Sequence, residues 1–406
     1  MPERYFPAGK RPGRTRPQAP APPPPPARTS SATTSAQPAV AQGAAQQVPP
    51  RAKVKLSKEA SATERFIAEY VEPQYDQLRK WSSTLSHADL LQRAARRKRM
   101  TLKKITESNQ LFFLSGVLVG GMDGIITSLV SHQARRVSRS KAMTKRYLNS
   151  AEIPTPKGKA INPTDFARAV KYMKSLGKEV TVKPSSGRAA KGITVNVTRE
   201  SELRAAWQAA MAARSATSDS RYLIVLEEYA PGLDVRCYVV GGEVVGAVAR
   251  LPLYIVGDGV TSVGALADAE LARRKNSEYL KARQSEITDG FLSAVGLTRA
   301  TVLPEGQLQP LTPIADTTRG GGIAVDVLDE LSEELRELAV EGLWAIPGLG
   351  AAAVDLLVPD LTTPEGAVVL EVNPYANIMQ FHYPSYGQPR KINDAVMEEI
   401  LERASR

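Results

Sequence analysis

Apolar positions along this chain follow two rhythms. Between residues 179 and 373 they come mostly in short, β-branched runs separated by turn residues, the pattern of strands. Ala353–Val358 and Val368–Asn373 are two such runs, and Pro364-Glu365-Gly366 marks a turn between them. The spacing predicts a hairpin that sets Asp355 beside Glu371. Val235–Val240 and Glu243–Arg250 predict a second hairpin, turned at Gly241-Gly242. Tyr222–Leu226 reads as a strand running into Glu227-Glu228-Tyr229-Ala230-Pro231-Gly232-Leu233-Asp234. Glu179–Pro184 reads as a strand carrying Lys183, followed by the small-residue loop Ser185–Gly192 and a further strand over Ile193–Val197. Helical spacing marks residues 58–104, with Phe66, Ile67, Tyr70 and Val71 on one helix and Leu85, Leu90 and Leu91 on another. The second ends in the basic run Arg96–Arg99, read as a solvated face. Ser140–Leu148 starts a further helix, and residues 393–403 form a C-terminal one.

Leu111–Val130 is mostly apolar, with Gly116, Gly120 and Gly124 at four-residue intervals. Its length and small-residue spacing match a membrane helix. Asp123 in its interior and the strand-like halves favour a buried strand–loop–strand of a small α/β domain instead.

Composition changes the picture mainly at the front. The 406 residues are 42% hydrophobic, enough for two or three domains of roughly 150 residues each. Residues 1–58 hold ten Lys/Arg against one acid, Glu3, out of a net charge of +11. They are rich in Pro, Ala, Gln, Ser and Thr, too poor in core-forming residues to offset ordering entropy, and read as a disordered basic tail. Such a tail is solvated or engages an acidic partner or nucleic acid. The remainder is close to neutral, so the folded part gives no electrostatic case for nucleic acid. The expected division is a tail over 1–58, a helical then α/β region over 59–140, and a main domain over 141–406. The front segment lacks the apolar core of a signal peptide, and the single cysteine, Cys237, sits in a Val-rich strand as a small hydrophobe. Both point to a reducing, cytoplasmic setting. The three histidines (His87, His132 and His382) are too scattered for a catalytic triad.

The candidate chemistry lies in the strand-rich half. Glu371 and Asn373 stand two apart and share one strand face. With Asp355 they form a set of hard oxygen ligands suited to Mg²⁺ that also holds phosphates; a solvated strand-end hairpin is the alternative. The Ser185–Gly192 loop between two strands lacks the strand–loop–helix order of a Walker motif. It suits a flap whose N–H groups close over phosphates, or else a plain surface turn. An edge backbone after Tyr222–Leu226 could read an adenine while Asp234 accepts from ribose hydroxyls. Arg236 and Arg250 interrupt apolar strands, which calls for an anionic partner, either a structural carboxylate or a ligand phosphate.

Taken in order, these pieces resemble the ATP-grasp superfamily of carboxylate–amine ligases. The nearest likeness is to the ATP-grasp module of cyanophycin synthetase and the fused bacterial glutathione synthetases. The matching stretches are Lys141-Ala142-Met143-Thr144-Lys145, Val182-Lys183-Pro184 with its flap, Glu227-Glu228-Tyr229, Pro231–Arg236, Ala249–Pro252 and Val256–Gly259. They continue with Arg319-Gly320-Gly321 and Asp326, Asp355, Glu371-Val372-Asn373, and the tail Tyr383–Arg390. The resemblance implies an α+β ATP-grasp fold, two subdomains gripping ATP, behind a small pre-grasp domain. It implies a soluble enzyme that forms an amide bond through an acyl phosphate on an amino acid or short peptide, releasing ADP and phosphate. Alternatives are a ligase modifying a ribosomal or carrier-borne peptide, and a nucleotide-binding scaffold without turnover; homo-oligomers are common among such ligases. Carried over, Lys145 and Lys183 would contact ATP, and Ser185, Ser186, Gly187 and Gly192 would belong to the flap. Glu227, Glu228 and Ala230 would line the adenine edge, and Asp234 would hold the ribose. Asp355, Glu371 and Asn373 would bind two Mg²⁺ (or Mn²⁺), and Arg250 and Arg319 would neutralise reaction charge. Arg236, Gly321, His382 and Arg390 would be candidate substrate contacts. Two departures stand out: Ala353 occupies a position that relatives often fill with arginine, and Pro374-Tyr375-Ala376-Asn377 replaces a frequent Pro-Gly pair.

Overall fold

The computed structural model describes residues 51–405, apart from 188–190, 214–221, 284–286, 288, 294, 312–314, 316 and 318–320. The expected tail therefore lies outside the described residues as far as residue 50. Its last part does not. Arg51 makes a two-pronged ion pair with Glu72 at 2.6 and 2.9 Å, and the Lys55 N–H donates to the Gly306 carbonyl at 2.8 Å. Residues 51–55 thus contact the rest of the described chain, with Ala52 and Val54 packed against its core.

The first helices form where serine caps start them. Ser61 caps α1 (Ala62–Phe66) in a reciprocal box with Glu64, and Ser86 caps α2 (His87–Arg97). The basic run ending α2 is not simply a solvated face: Arg97 pairs with Asp394 at 2.5 Å and Lys98 pairs with Glu398. An antiparallel meander follows, of β1 (Thr101–Lys104), β2 (Asn109–Leu114), β3 (Val117–Asp123) and β4 (Ile126–Thr127). Its burial is uneven. Phe112 and Met122 are buried, whereas Val117 and Leu118, beside the β2–β3 turn, remain 65% and 54% exposed, so the segment is buried only in part. No helix among the described residues is long and apolar enough to cross a membrane.

After α3 (His132–Ser138) and α4 (Lys141–Ser150), the chain builds a small lobe. Its elements are β5 (Gly158–Ile161), α5 (Phe166–Leu176), β6 (Val180–Pro184), β7 (Thr194–Val197), α6 (Glu200–Ala212) and β8 (Ile224–Glu228). The strands form an antiparallel sheet in the order β5-β8-β6-β7. Alternation divides its faces. Val180, Val182, Ile224 and Leu226 pack with Ala169, Met173 and Trp207 of the two helices, while Thr181, Lys183, Val225 and Glu227 occupy the other side.

The rest comprises β9 (Leu233–Val240), β10 (Glu243–Leu251), β11 (Tyr254–Val256), α7 (Val263–Arg274), α8 (Glu278–Lys281), α9 (Asp289–Ser293) and β12 (Leu308–Pro310). It continues with β13 (Ile323–Asp326), α10 (Glu333–Trp344), β14 (Ala351–Val358), β15 (Val368–Asn373), α11 (Met379–His382) and α12 (Ile392–Ala404). A five-stranded antiparallel sheet runs β13-β10-β9-β14-β15. The β9–β10 turn needs glycine, since Gly241 and Gly242 adopt φ of +67° and +133°. Helix α10 lies on the apolar face, so close that a Cβ on Gly342 would stand 3.2 Å from Val354 Cγ1. Cys237 is buried and free, and burial pushes its thiol pKa up. Residues 229–232 carry the chain directly from β8 of the small sheet to β9 of the large one.

Candidate active site

On the small sheet, β6 and β8 bring Lys183 and Glu227 together, and α4 adds Lys145. Ser140 accepts from the Met143 N–H and fixes where α4 begins. Glu227 is only 2% exposed, and its carboxylate meets Lys183 Nζ at 2.5 Å and Lys145 Nζ at 3.0 Å. Burial opposes its ionisation, but Lys183 and Lys145 outweigh that and hold its pKa below the usual carboxylate range. Burial also lowers the pKa of Lys145, against the pull of Glu227. Lys145 donates further to the Pro156 carbonyl and to Thr155 Oγ1. Gly158 permits this packing: a Cβ there would sit 2.5 Å from that of Glu227.

At the start of the flap, Ser185 is buried, its N–H donating to the Leu223 carbonyl and its Oγ accepting from the Leu223 N–H. Ser186, Gly187 and Gly192 are described; residues 188–190 are not. Gly192 has φ +72° and packs on α6, where a Cβ would lie 2.5 Å from that of Ala213. In the link to β9, the Glu228 N–H donates to the Lys157 carbonyl and the Tyr229 N–H to that of Glu179. The Ala230 N–H has no partner among the described residues.

The large sheet presents a second charged cluster on the face opposite α10. The register pairs Asp355 with Arg236 on one side and with Glu371 on the other, as the hairpin pattern implied. Arg236 grips both Asp355 oxygens at 2.7 Å, and Arg250 donates to Asp355 at 2.9 Å and to Asp234 at 2.6 and 2.9 Å. Burial opposes ionisation of Asp355, yet the two guanidinium groups hold its pKa at about 2. Burial and the nearby Asp355 charge push the Asp234 carboxyl up against the pull of Arg250. The arginines thus have structural carboxylate partners, and their Nη1 groups donate to nothing among the described residues.

Glu371 is the least committed acid. Its Oε1 meets only Lys141 Nζ, at 3.3 Å. Asn373 Oδ1 accepts from the Tyr375 N–H at 2.9 Å and stabilises the turn that ends β15. Asp355 keeps one lone-pair position beyond the three occupied by arginine N–H groups. Two carboxylates and an amide oxygen on one face suit a hard divalent cation, with Glu371 the readiest ligand and Asp355 the most constrained. Among the described residues no group of three or more His, Cys, Asp or Glu side chains gathers to hold a metal, and at this face the carboxylates number two.

Lys141 opens one of the matching stretches, but the sequence assigned it no role. As the first residue of α4 it donates its N–H to the Ser185 carbonyl at 2.8 Å while its side chain reaches Glu371, so it bridges the two sheets. Its place beside the N-cap Ser140 was legible; its partner on β15 was not.

Of the other three candidate substrate contacts, Arg390 sits at this same sheet face, because Asp326 shares its register with Val248, Arg236 and Asp355. Arg390 is tied to Asp326 at 2.7 and 2.8 Å and to Asp329, and Gly321 accepts from Arg274 through its carbonyl. His382 has its Nε2 buried, and burial lowers its pKa to about 4, as it does that of His87. Arg319 lies outside the described residues.

Residues 139–249 match the family described as phosphoribosylglycinamide synthetase, ATP-grasp (A) domain. The chain is 30% identical over 270 residues to a cyanophycin synthetase of Nostoc sp., covering 64% of this chain and 29% of that protein. It is 28% identical over 301 residues to the glutathione biosynthesis bifunctional protein of Pasteurella multocida, covering 69% and 37% respectively. Among solved structures, the bifunctional glutathione synthetase from Pasteurella multocida superposes with a TM-score of 0.53 at 23% identity, over 78% of this chain and 43% of that one. This chain therefore spans roughly a third of these relatives' length, and the structural likeness concerns the fold.

Proposed function

We propose that this chain, an ATP-grasp protein by fold, is an ATP-dependent ligase that joins the carboxylate of an amino acid or short peptide to an amine. The observation that carries the reading is the pairing of two facing charged surfaces. Lys145 and Lys183 share one carboxylate on the small sheet, and Lys141 reaches from α4 to Glu371 on the large one. Phosphates between them would find a positive charge that Glu227 does not cancel. The free N–H of Ala230 offers a donor to an adenine edge, and Asp234 has a second oxygen available for a ribose hydroxyl.

A carboxylate is a poor electrophile, so the substrate oxygen attacks the γ-phosphorus of ATP, releasing ADP and forming an acyl phosphate. The amine then adds to the carbonyl carbon, loses a proton, and expels inorganic phosphate to leave the amide. The unused Nη1 donors of Arg250 would meet charge as it develops on the transferring group. Asp355, Glu371 and Asn373 would hold divalent cation, which supplies Lewis-acid neutralisation of phosphate oxygens. Arg236 keeps Asp355 ionised and in place.

The test is ADP release with ATP and Mg²⁺ against pools of amino acids, for the wild type and Glu371→Ala. Release that depends on an amino acid and falls at least ~100-fold in the variant is expected, the scale of losing a principal electrostatic group. ATP turnover that ignores every amino-acid and peptide pool, or persists in Glu371→Ala, would overturn the reading.

A further inference from the structure

We propose that the outer edge of β5 is a docking site for an acidic, extended peptide segment. β5 is the last strand of its sheet, and no strand lies beyond it among the described residues. One row of its N–H and C=O groups therefore faces away from β8, a template for a further strand. A cavity of about 300 Å³ opens along this edge, floored by β5 itself and walled by Lys145 and Arg146 of α4 and by Arg168 of α5. Among the described residues no carboxylate and no aromatic ring lines it.

The cations flank the edge on both sides. Gly158 and Ala160 lie on the sheet face they share with Glu227 and Val225, which is the face toward Lys145 and Arg146. Lys159 lies on the opposite face, its Nζ 4.6 Å over the Tyr172 ring of α5, on the side from which Arg168 approaches. The guanidinium groups of Arg146 and Arg168 have no hydrogen bond or ion pair among the described residues. Charge in the surrounding sequence points the same way. Residues 132–178 hold twelve Lys/Arg against Glu152 and Asp165 alone, although the chain beyond residue 58 is near neutral as a whole. Asp165 is already engaged in capping α5.

Side chains of an added strand would alternate between the two faces, and each face offers a cation. Consecutive acidic residues, rather than every second one, would thus find partners. Carboxylates suit the forked donors of two arginines, and the peptide backbone completes the ladder along β5. A nucleic acid could use the charge, but it has no strand to add, and the Tyr172 ring is covered by Lys159. The proposal does not depend on ligase activity, because binding alone reads it.

Fluorescence anisotropy of labelled octaglutamate with the full chain tests it. Saturable binding that weakens with rising salt is expected, with a loss of about tenfold in the R146E/R168E variant at unchanged melting temperature. Octaglutamate N-methylated at alternate residues keeps its charge but loses ladder donors, and should bind several-fold more weakly. Undiminished binding by R146E/R168E would place the peptide elsewhere, for instance on the basic front segment, and overturn the proposal. Equal affinity for the N-methylated peptide would reduce the site to bulk charge. An eight-nucleotide RNA that outcompetes octaglutamate, and is lost in the same variant, would assign the surface to nucleic acid instead.

Discussion

Both sheets that face the proposed cleft bury cations with carboxylates, but they balance them differently. On the small sheet Lys145 and Lys183 share the single carboxylate of Glu227. On the large sheet Arg236 and Arg250 meet Asp355 and Asp234 in a closed set. The first cluster leaves a positive charge without an internal partner, which suits an incoming phosphate. The second satisfies itself and fixes the geometry beside Glu371. Buried ion pairs are poor evidence of net stability, but breaking one strands a charge in low dielectric. That asymmetry lets the two clusters be told apart by mutation.

The largest stability effect is expected at the closed set. Asp355→Asn leaves Arg236 and Arg250 without their common carboxylate and should lower unfolding stability by about 4 kcal/mol, read from urea denaturation. Glu227→Gln leaves two buried lysines side by side, but Lys145 still has the Pro156 carbonyl and Thr155. A smaller loss of about 3 kcal/mol is expected there. A reversed order would mean that the lysine pair, not the arginine set, is the tighter network.

Acid should loosen the wall behind the large sheet before it reaches either cluster. His87 and His382 have folded pKa values of about 4, below the ordinary 6.5, because both are buried. The unfolded chain then takes up protons first, so stability is full above pH 6.5 and is lost as pH falls towards 4. Protonating His87 also removes the Nδ1 lone pair that accepts from the Ile378 N–H. The urea midpoint should fall between pH 7 and 4.5 and fall less in His87→Gln. Equal slopes would remove His87 from the account.

Much of this arrangement was legible in the chain. The β14–β15 hairpin set Asp355 opposite Glu371 because short apolar runs and a Pro-Glu-Gly turn leave few registers, and alternation put Glu371 and Asn373 on one face. The partners of Arg236 and Arg250 were foreseen only as a choice between structural carboxylate and ligand. Deciding it needs the strand order β13-β10-β9-β14-β15, in which β9 and β14 pair across more than a hundred residues. The Lys145–Glu227–Lys183 cluster draws on a helix and two strands, so no local pattern could announce it. His382 and Arg390 follow the site closely in sequence, yet no local pattern shows that His382 Nε2 is buried or that Arg390 is held by Asp326.

The most direct test of the contrast is calorimetric titration of ATP, with magnesium present, into the wild type, Lys183→Met and Arg236→Lys. The account expects Lys183→Met to weaken ATP binding about tenfold or more and Arg236→Lys to change it by less than about twofold. Unaltered affinity in Lys183→Met, or a larger loss in Arg236→Lys, would contradict the assignment of phosphate binding to the small-sheet lysines.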